Sequence, residues 1–124
     1  MADYAPADVA TAWDNHFSAF GAQDVDKILL DYDDKSKITT WNLNGDEKAV
    51  YEGVDGARTL FEGLFKNLSD LSELGAPLID VDEETKMVFL VWRCPSSGVV
   101  DATDTFTFTD DFKILRQNVV FKTA

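Results

Sequence analysis

The sequence predicts a single α+β domain, with helices segregated to one face of a mostly antiparallel sheet. Three observations predict it. Helix-period apolar stripes fill the first half of the chain, and closely spaced strand patterns fill the second. One of those strands, Val99 to Thr109, alternates strictly from Ala102 onward. Finally, 124 residues are enough for one core but not for two.

Pro6 and Asp8 sit where a first helical turn accepts them, and Val9, Ala12, Trp13, His16, Phe17 and Phe20 follow at helical spacing. Gly21 is expected to end this helix in the left-handed region. Asp24 caps a second, short helix with the stripe Val25, Ile28, Leu29 and Tyr32. Asp31, Asp33, Asp34 and Lys35 read as a charged, solvated break. A strand is expected from Ile38 to Leu43, then a turn at Asn44-Gly45-Asp46 and a short return strand over Ala49 to Glu52. The third helix, Gly53 to Leu68, buries Ala57, Leu60, Phe61, Leu64, Phe65 and Leu68. Asn67 to Pro77 reads as loop. Strands are then expected at Leu78 to Asp82, Lys86 to Cys94, Val99 to Thr109 and Lys113 to Lys122.

Composition narrows the function classes. The net charge of −12 repels phosphate backbones, and no Lys/Arg cluster offsets it, which argues against nucleic-acid binding. A single cysteine, Cys94, and a single histidine, His16, allow no internal disulfide and make a zinc site of usual spacing an unsuitable reading. Neither a bilayer-length apolar run nor a signal-peptide pattern is present, so the expectation is a soluble cytoplasmic protein without membrane partners. The acidic groups around Asp31 and over Asp80, Asp82, Glu83 and Glu84 lack the glycine-centred spacing of a calcium loop and read as solvated surface.

The strand from Val99 carries an anomaly. Ala102, Asp104, Phe106 and Phe108 share one face, and threonines occupy the other. A carboxylate among apolar neighbours is paired, near an edge, or kept partly neutral by desolvation. Asp104 is therefore a candidate site residue.

The chain also resembles a known family. The aromatic helix Trp13 to Phe20 is followed by Gly21-Ala22-Gln23-Asp24-Val25-Asp26 and a short helix ending Tyr32-Asp33-Asp34. Later, Tyr51-Glu52-Gly53 leads into a helix containing Leu60-Phe61-Glu62-Gly63-Leu64-Phe65, and the strands close at Lys113-Ile114. This order resembles the SnoaL-like branch of the nuclear transport factor two-like superfamily, whose members include ketosteroid isomerase. The resemblance implies a cone-shaped, cystatin-like α+β roll: three N-terminal helices on a curved, mixed sheet, with an aromatic pocket between them. Trp13, Phe17, Phe20, Tyr32, Phe61, Phe65, Phe89, Val91, Phe106, Phe108 and Phe121 would surround that pocket or fill a core. Against ketosteroid isomerase, Asp104 matches the strand position of its protonated aspartic acid. His16 falls at its oxyanion-hole tyrosine and Thr40 at its catalytic base. Without that base the steroid isomerase reaction is not expected.

His16 and Asp104 are the catalytic candidates, read as a dyad across the pocket in which the carboxylate orients the imidazole. The alternative is that they satisfy each other in the core. Trp13, Phe17, Tyr32, Thr40, Phe61, Phe65, Phe89, Phe106, Gln117 and Phe121 are the ligand-binding candidates. Gln117 would enter the pocket on a face shared with Leu115, Val119 and Phe121. Arg93, on the face of Met87, Phe89 and Val91, either pairs with Asp104 or reaches solvent.

Two functions fit. One is a cofactor-independent enzyme performing acid–base isomerisation, cyclisation or dehydration of a hydrophobic carbonyl compound. The other is a non-catalytic ligand-binding or dimerisation module of the same fold. Val88, Leu90 and Trp92 are expected on the outer face as an apolar patch, predicting a homodimer with Trp92 near its centre.

Overall fold

The structure, a computed structural model, describes residues 4–124. The chain begins with α1 (Val9–Ala22), α2 (Val25–Ile28) and a 3-10 turn (Leu29–Asp31). A hairpin of β1 (Lys37–Asn42) and β2 (Glu47–Glu52) leads into α3 (Gly53–Asn67). The rest is a meander of β3 (Gly75–Asp82), β4 (Met87–Cys94), β5 (Val99–Phe108) and β6 (Ile114–Thr123). These six strands form one sheet in the order β2-β1-β6-β5-β4-β3. All neighbours are antiparallel except β1 and β6, which run parallel. The α+β class is thus as the sequence predicts, and the mixed sheet is as the family resemblance implies. No helix among the described residues is long and apolar enough to cross a membrane.

Local chemistry explains the helix ends. The Asp8 carboxylate accepts from the Thr11 N–H at 2.8 Å, satisfying a first-turn donor of α1. Two more, Val9 N–H and Ala10 N–H, donate at 2.8 and 2.9 Å to Glu83. Glu83, expected as solvated surface, instead ties the β3–β4 turn to the helix N-terminus, where a negative charge is favoured. At the other end α1 runs through Gly21 and stops at Gln23, whose φ of 53° supplies the left-handed residue. The Gln23 side chain earns this place by donating to the Leu68 carbonyl at 2.7 Å, joining the ends of α1 and α3. Asp24 caps α2 through the Lys27 N–H.

α3 packs closely on the hairpin because Gly56 has no side chain. A Cβ there would lie 2.9 Å from the Tyr51 carbonyl carbon. β3 begins at Gly75, inside the segment expected as loop, and tolerates Pro77 because it is an edge strand with a register shift between Gly75 and Leu78.

On β5, Ala102, Asp104, Phe106 and Phe108 are all buried, so that strand's two faces are as expected. On β4 they are reversed. Val88, Leu90 and Trp92 are buried, whereas Met87 and Phe89 are exposed. The register gives the reason: Val88 pairs with Phe106, Leu90 with Asp104 and Trp92 with Ala102, and cross-strand partners share a face. Both faces of β4 are apolar, so alternation alone does not choose between them. On β6, a shift between Thr107 and Phe108 puts Ile114 inside and leaves Leu115 exposed, contrary to expectation.

Candidate functional site

A cavity of about 320 Å³ lies between the inner face of the sheet and the helices. α1 contributes Trp13, His16, Phe17 and Phe20, and α3 contributes Phe61 and Leu64. The sheet contributes Thr40, Leu90, Trp92, Asp104, Gln117 and Phe121. Register explains the polar group on this floor: Thr40, Val119, Asp104 and Leu90 lie in one cross-strand row, with Gln117 one row away.

Asp104 accepts two N–H donors. The Trp92 indole donates to Oδ1 at 2.9 Å, and the Gln117 amide donates to Oδ2 at 2.9 Å. The Tyr32 hydroxyl donates in turn to Gln117 Oε1 in a short contact. Burial pushes the Asp104 carboxyl above its ordinary range, against the opposing pull of the Trp92 and Gln117 donors and of the His16 imidazole. Tyr32 is pushed well above its ordinary value, first by burial and then by the charges of Asp31 and Asp104. It is a hydrogen-bond donor throughout the physiological range.

His16 does not bond to Asp104. Its Nδ1 lies 3.2 Å from Oδ2 of Asp31, which is completely buried. The other Asp31 oxygen accepts from Asn15 Nδ2 at 3.0 Å and from the Tyr4 hydroxyl at 3.2 Å. Burial, then the charge of Asp31, raise the Tyr4 hydroxyl far above its ordinary value. The imidazole is further held by the Trp13 ring, stacked at 5.5 Å, and by the edges of Phe106 and Phe61 at 5.1 and 6.0 Å. With Nδ1–H directed at a carboxylate, a neutral ring carries its lone pair on Nε2. Among the described residues no group bonds to Nε2, and no fully buried side-chain nitrogen or oxygen lacks a partner. His16 lines the cavity, so Nε2 opens into it.

The expected His16–Asp104 dyad is therefore corrected to His16–Asp31, with Asp104 held separately by Trp92 and Gln117. Asp31 belongs to the core because the 3-10 turn after α2 rotates it beneath α1, away from solvated Asp34. Asn15 and Tyr4, which complete its shell, carried no sequence signal beyond being polar. Trp92, expected outside, is inside for the register reason given above. Arg93 does not approach Asp104; it pairs with Asp101 at 2.6 Å on the exposed side.

Of the ligand-binding candidates, Trp13, Phe17, Thr40, Phe61, Gln117 and Phe121 line the cavity. Tyr32, Phe65 and Phe106 are buried behind it, and Phe89 is on the outer face. Among the described residues no group of three His, Cys, Asp or Glu side chains is arranged to hold a metal ion.

The chain is similar to a SnoaL-like protein of unknown function from Burkholderia thailandensis, with TM-score 0.69, 16% identity, and 91% of this chain and 92% of that one covered. It is similar to a steroid delta-isomerase from Pseudomonas aeruginosa, with TM-score 0.68, 13% identity, and coverage of 97% and 83%. It is also similar to a putative polyketide cyclase from Sinorhizobium meliloti, with TM-score 0.61, 20% identity, and coverage of 90% and 92%. The chain thus has the SnoaL-like, nuclear transport factor two-like fold. No family model matches the sequence, and no curated protein matches it.

Proposed function

We propose that this protein is a small acid–base enzyme of the SnoaL-like type, acting on a hydrophobic carbonyl compound by isomerisation, cyclisation or dehydration. One observation carries this reading. The only histidine presents Nε2 to an aromatic cavity while a buried carboxylate holds Nδ1. In this reading Nε2 takes a proton from the substrate, and Asp31 stabilises the imidazolium that forms. The same proton is returned to another substrate atom. Thr40 and the second N–H of Gln117 are available to the substrate carbonyl oxygen. Both proton transfers run through side chains, so the reaction calls for no cofactor. The test is exchange of α-protons in D2O for a panel of apolar cyclic ketones, followed by NMR. Exchange should be catalysed by the parent and reduced at least a hundredfold in His16→Gln. Equal exchange by the two proteins would overturn the proposal.

A homodimer is proposed alongside it, through the outer sheet face but not through Trp92. Leu78, Val91, Thr103, Val120 and Trp41 form one cross-strand row on that face, and Leu78, Val120 and Trp41 are exposed by 41, 39 and 37%. Phe89, 39% exposed, extends the patch in the next row. Charges divide across it: Lys37, Lys48 and Arg116 lie on one half, Asp80 and Asp82 on the β3 edge. A two-fold axis between the halves would bring opposite charges together. Sedimentation should give a dimer for the parent and a monomer for Trp41→Glu; a monomeric parent at micromolar concentration would remove the proposal.

A further inference from the structure

The lining of the cavity is unusual in its charge. It contains seven aromatic side chains besides His16, among them Trp13, Phe17, Phe61 and Trp92, and neither lysine nor arginine. Its one carboxylate, Asp104, is 6% exposed. Among the described residues Asp104 makes no ion pair with any basic side chain; its two contacts are the neutral N–H groups of Trp92 and Gln117. Two donors on two oxygens suit the ionised form of the group. Each oxygen keeps a further lone pair for a third donor. The other charged or titratable groups nearby are His16 from α1 and Asp31 and Tyr32 from the 3-10 turn. His16 Nδ1 is engaged by Asp31 and makes no bond to Asp104.

A buried carboxylate without a cation is costly; uptake of a proton relieves that cost in the empty cavity, and an opposite charge brought by a ligand relieves it with the group ionised. Aromatic faces favour the same kind of group, because a cation is attracted to the ring quadrupole. The protein's net charge of −12 also draws cations and repels anions at long range. We propose that the cavity takes an apolar molecule bearing a protonated nitrogen, its ammonium seated against Asp104 and its body among Trp13, Phe17 and Phe61. This names the ligand class of the same cavity and rests on reading that cavity as a binding site. It excludes carboxylate and phosphate ligands, for which the described lining offers neither lysine nor arginine.

Binding of 1-naphthylmethylamine, 1-naphthylmethanol and 1-naphthoate at pH 7.5 tests it, with the quenching of tryptophan fluorescence or calorimetry as readout. The amine should bind at least tenfold more tightly than the alcohol, and the acid more weakly than either. In Asp104→Asn the amine should lose its advantage over the alcohol. The comparison within the parent needs no variant, so it decides the matter even if Asp104→Asn folds poorly. An alcohol binding as well as the amine, an amine that does not bind, or an amine advantage retained in a folded Asp104→Asn would each overturn the proposal. Proton exchange unaffected by His16→Gln would overturn the acid–base reading alone, without touching this result.

Discussion

Tyr32 holds Gln117 in one orientation: its hydroxyl donates to Gln117 Oε1, which turns the Gln117 NH2 group onto Asp104. Three residues from three separate stretches of chain thus set the polarity of one buried contact. Tyr32→Phe would leave Gln117 Oε1 buried without a donor, at a cost of about 1–3 kcal/mol. The cost should depend on pH. The Tyr32 hydroxyl is raised in the folded state, so its contribution is fully present below the ordinary value of 10.0 and is lost as pH rises through the raised one. Urea unfolding at pH 8 and pH 11 should show a smaller difference between parent and variant at the higher pH.

Asp104→Asn reverses the hydrogen-bond polarity without removing the bonds. The Asn carbonyl accepts from Trp92, its NH2 donates to a flipped Gln117 carbonyl, and Gln117 NH2 donates to the Tyr32 oxygen. The variant should fold. Its pH dependence separates it from the parent. Burial raises the folded Asp104 carboxyl, so the stability it contributes is present below about its ordinary value of 3.8 and is lost as pH rises through the raised value. Relative to the parent, Asp104→Asn should therefore gain stability as pH rises from about 4, and level off once pH has passed the raised value. Denaturation midpoints measured across this range give the curve, and a constant difference would contradict it.

Much of the fold was legible because local and long-range signals agreed. The Asp24 cap, the stripe of α3 and the alternation of β5 each place an element without help from the rest of the chain. The same holds for Asp104, conspicuous as a charge on an apolar strand face. Expectation and structure part where sequence pattern is degenerate. Phe89 and Trp92 lie on opposite faces of a strand that is apolar on both, and only pairing with β5 decides between them. Asp31 reads as solvated in the sequence because one residue at the end of a short helix separates the core from solvent; neighbouring Asp33 and Asp34 are partly or fully exposed. Its partners, Asn15 and His16, lie one helical face away and fifteen or sixteen positions back in the chain. Such a contact leaves no local trace.

The glutamate that links the β3–β4 turn to α1 offers a simpler test of packing. Glu83→Gln keeps one acceptor for Val9 and Ala10 but removes the charge at the helix N-terminus. Glu83→Ala removes both. The alanine variant should lose about 1 kcal/mol and the glutamine variant roughly half of that, in keeping with the worth of a helix cap and of charge at the N-terminus. Thermal unfolding at low salt measures both, and equal stability of Glu83→Ala and the parent would show that the link is not formed in solution.

The sharpest test concerns Asp31. Three donors converge on it: the Tyr4 hydroxyl, Asn15 Nδ2 and His16 Nδ1. An asparagine there offers one acceptor oxygen and a donor NH2, so it cannot accept from all three. The imidazole is the group that can adapt. With an NH2 facing it, Nδ1 becomes the acceptor and the ring proton moves to Nε2. The Nε2 lone pair, which faces the cavity in the parent, is then lost. Asp31→Asn should accordingly switch the neutral tautomer, read directly from the 15N shifts of the single histidine, and abolish proton exchange on a ketone substrate. The exchange of carboxylate for amide in this buried hydrogen-bond cluster should also cost about 1–3 kcal/mol of stability. Asp104→Asn, by contrast, should leave the tautomer as it is, since Asp104 does not bond to the ring. If Asp31→Asn retains the parent's 15N pattern, Asp31 does not orient His16, and the imidazole loses the arrangement that makes it a base towards the cavity.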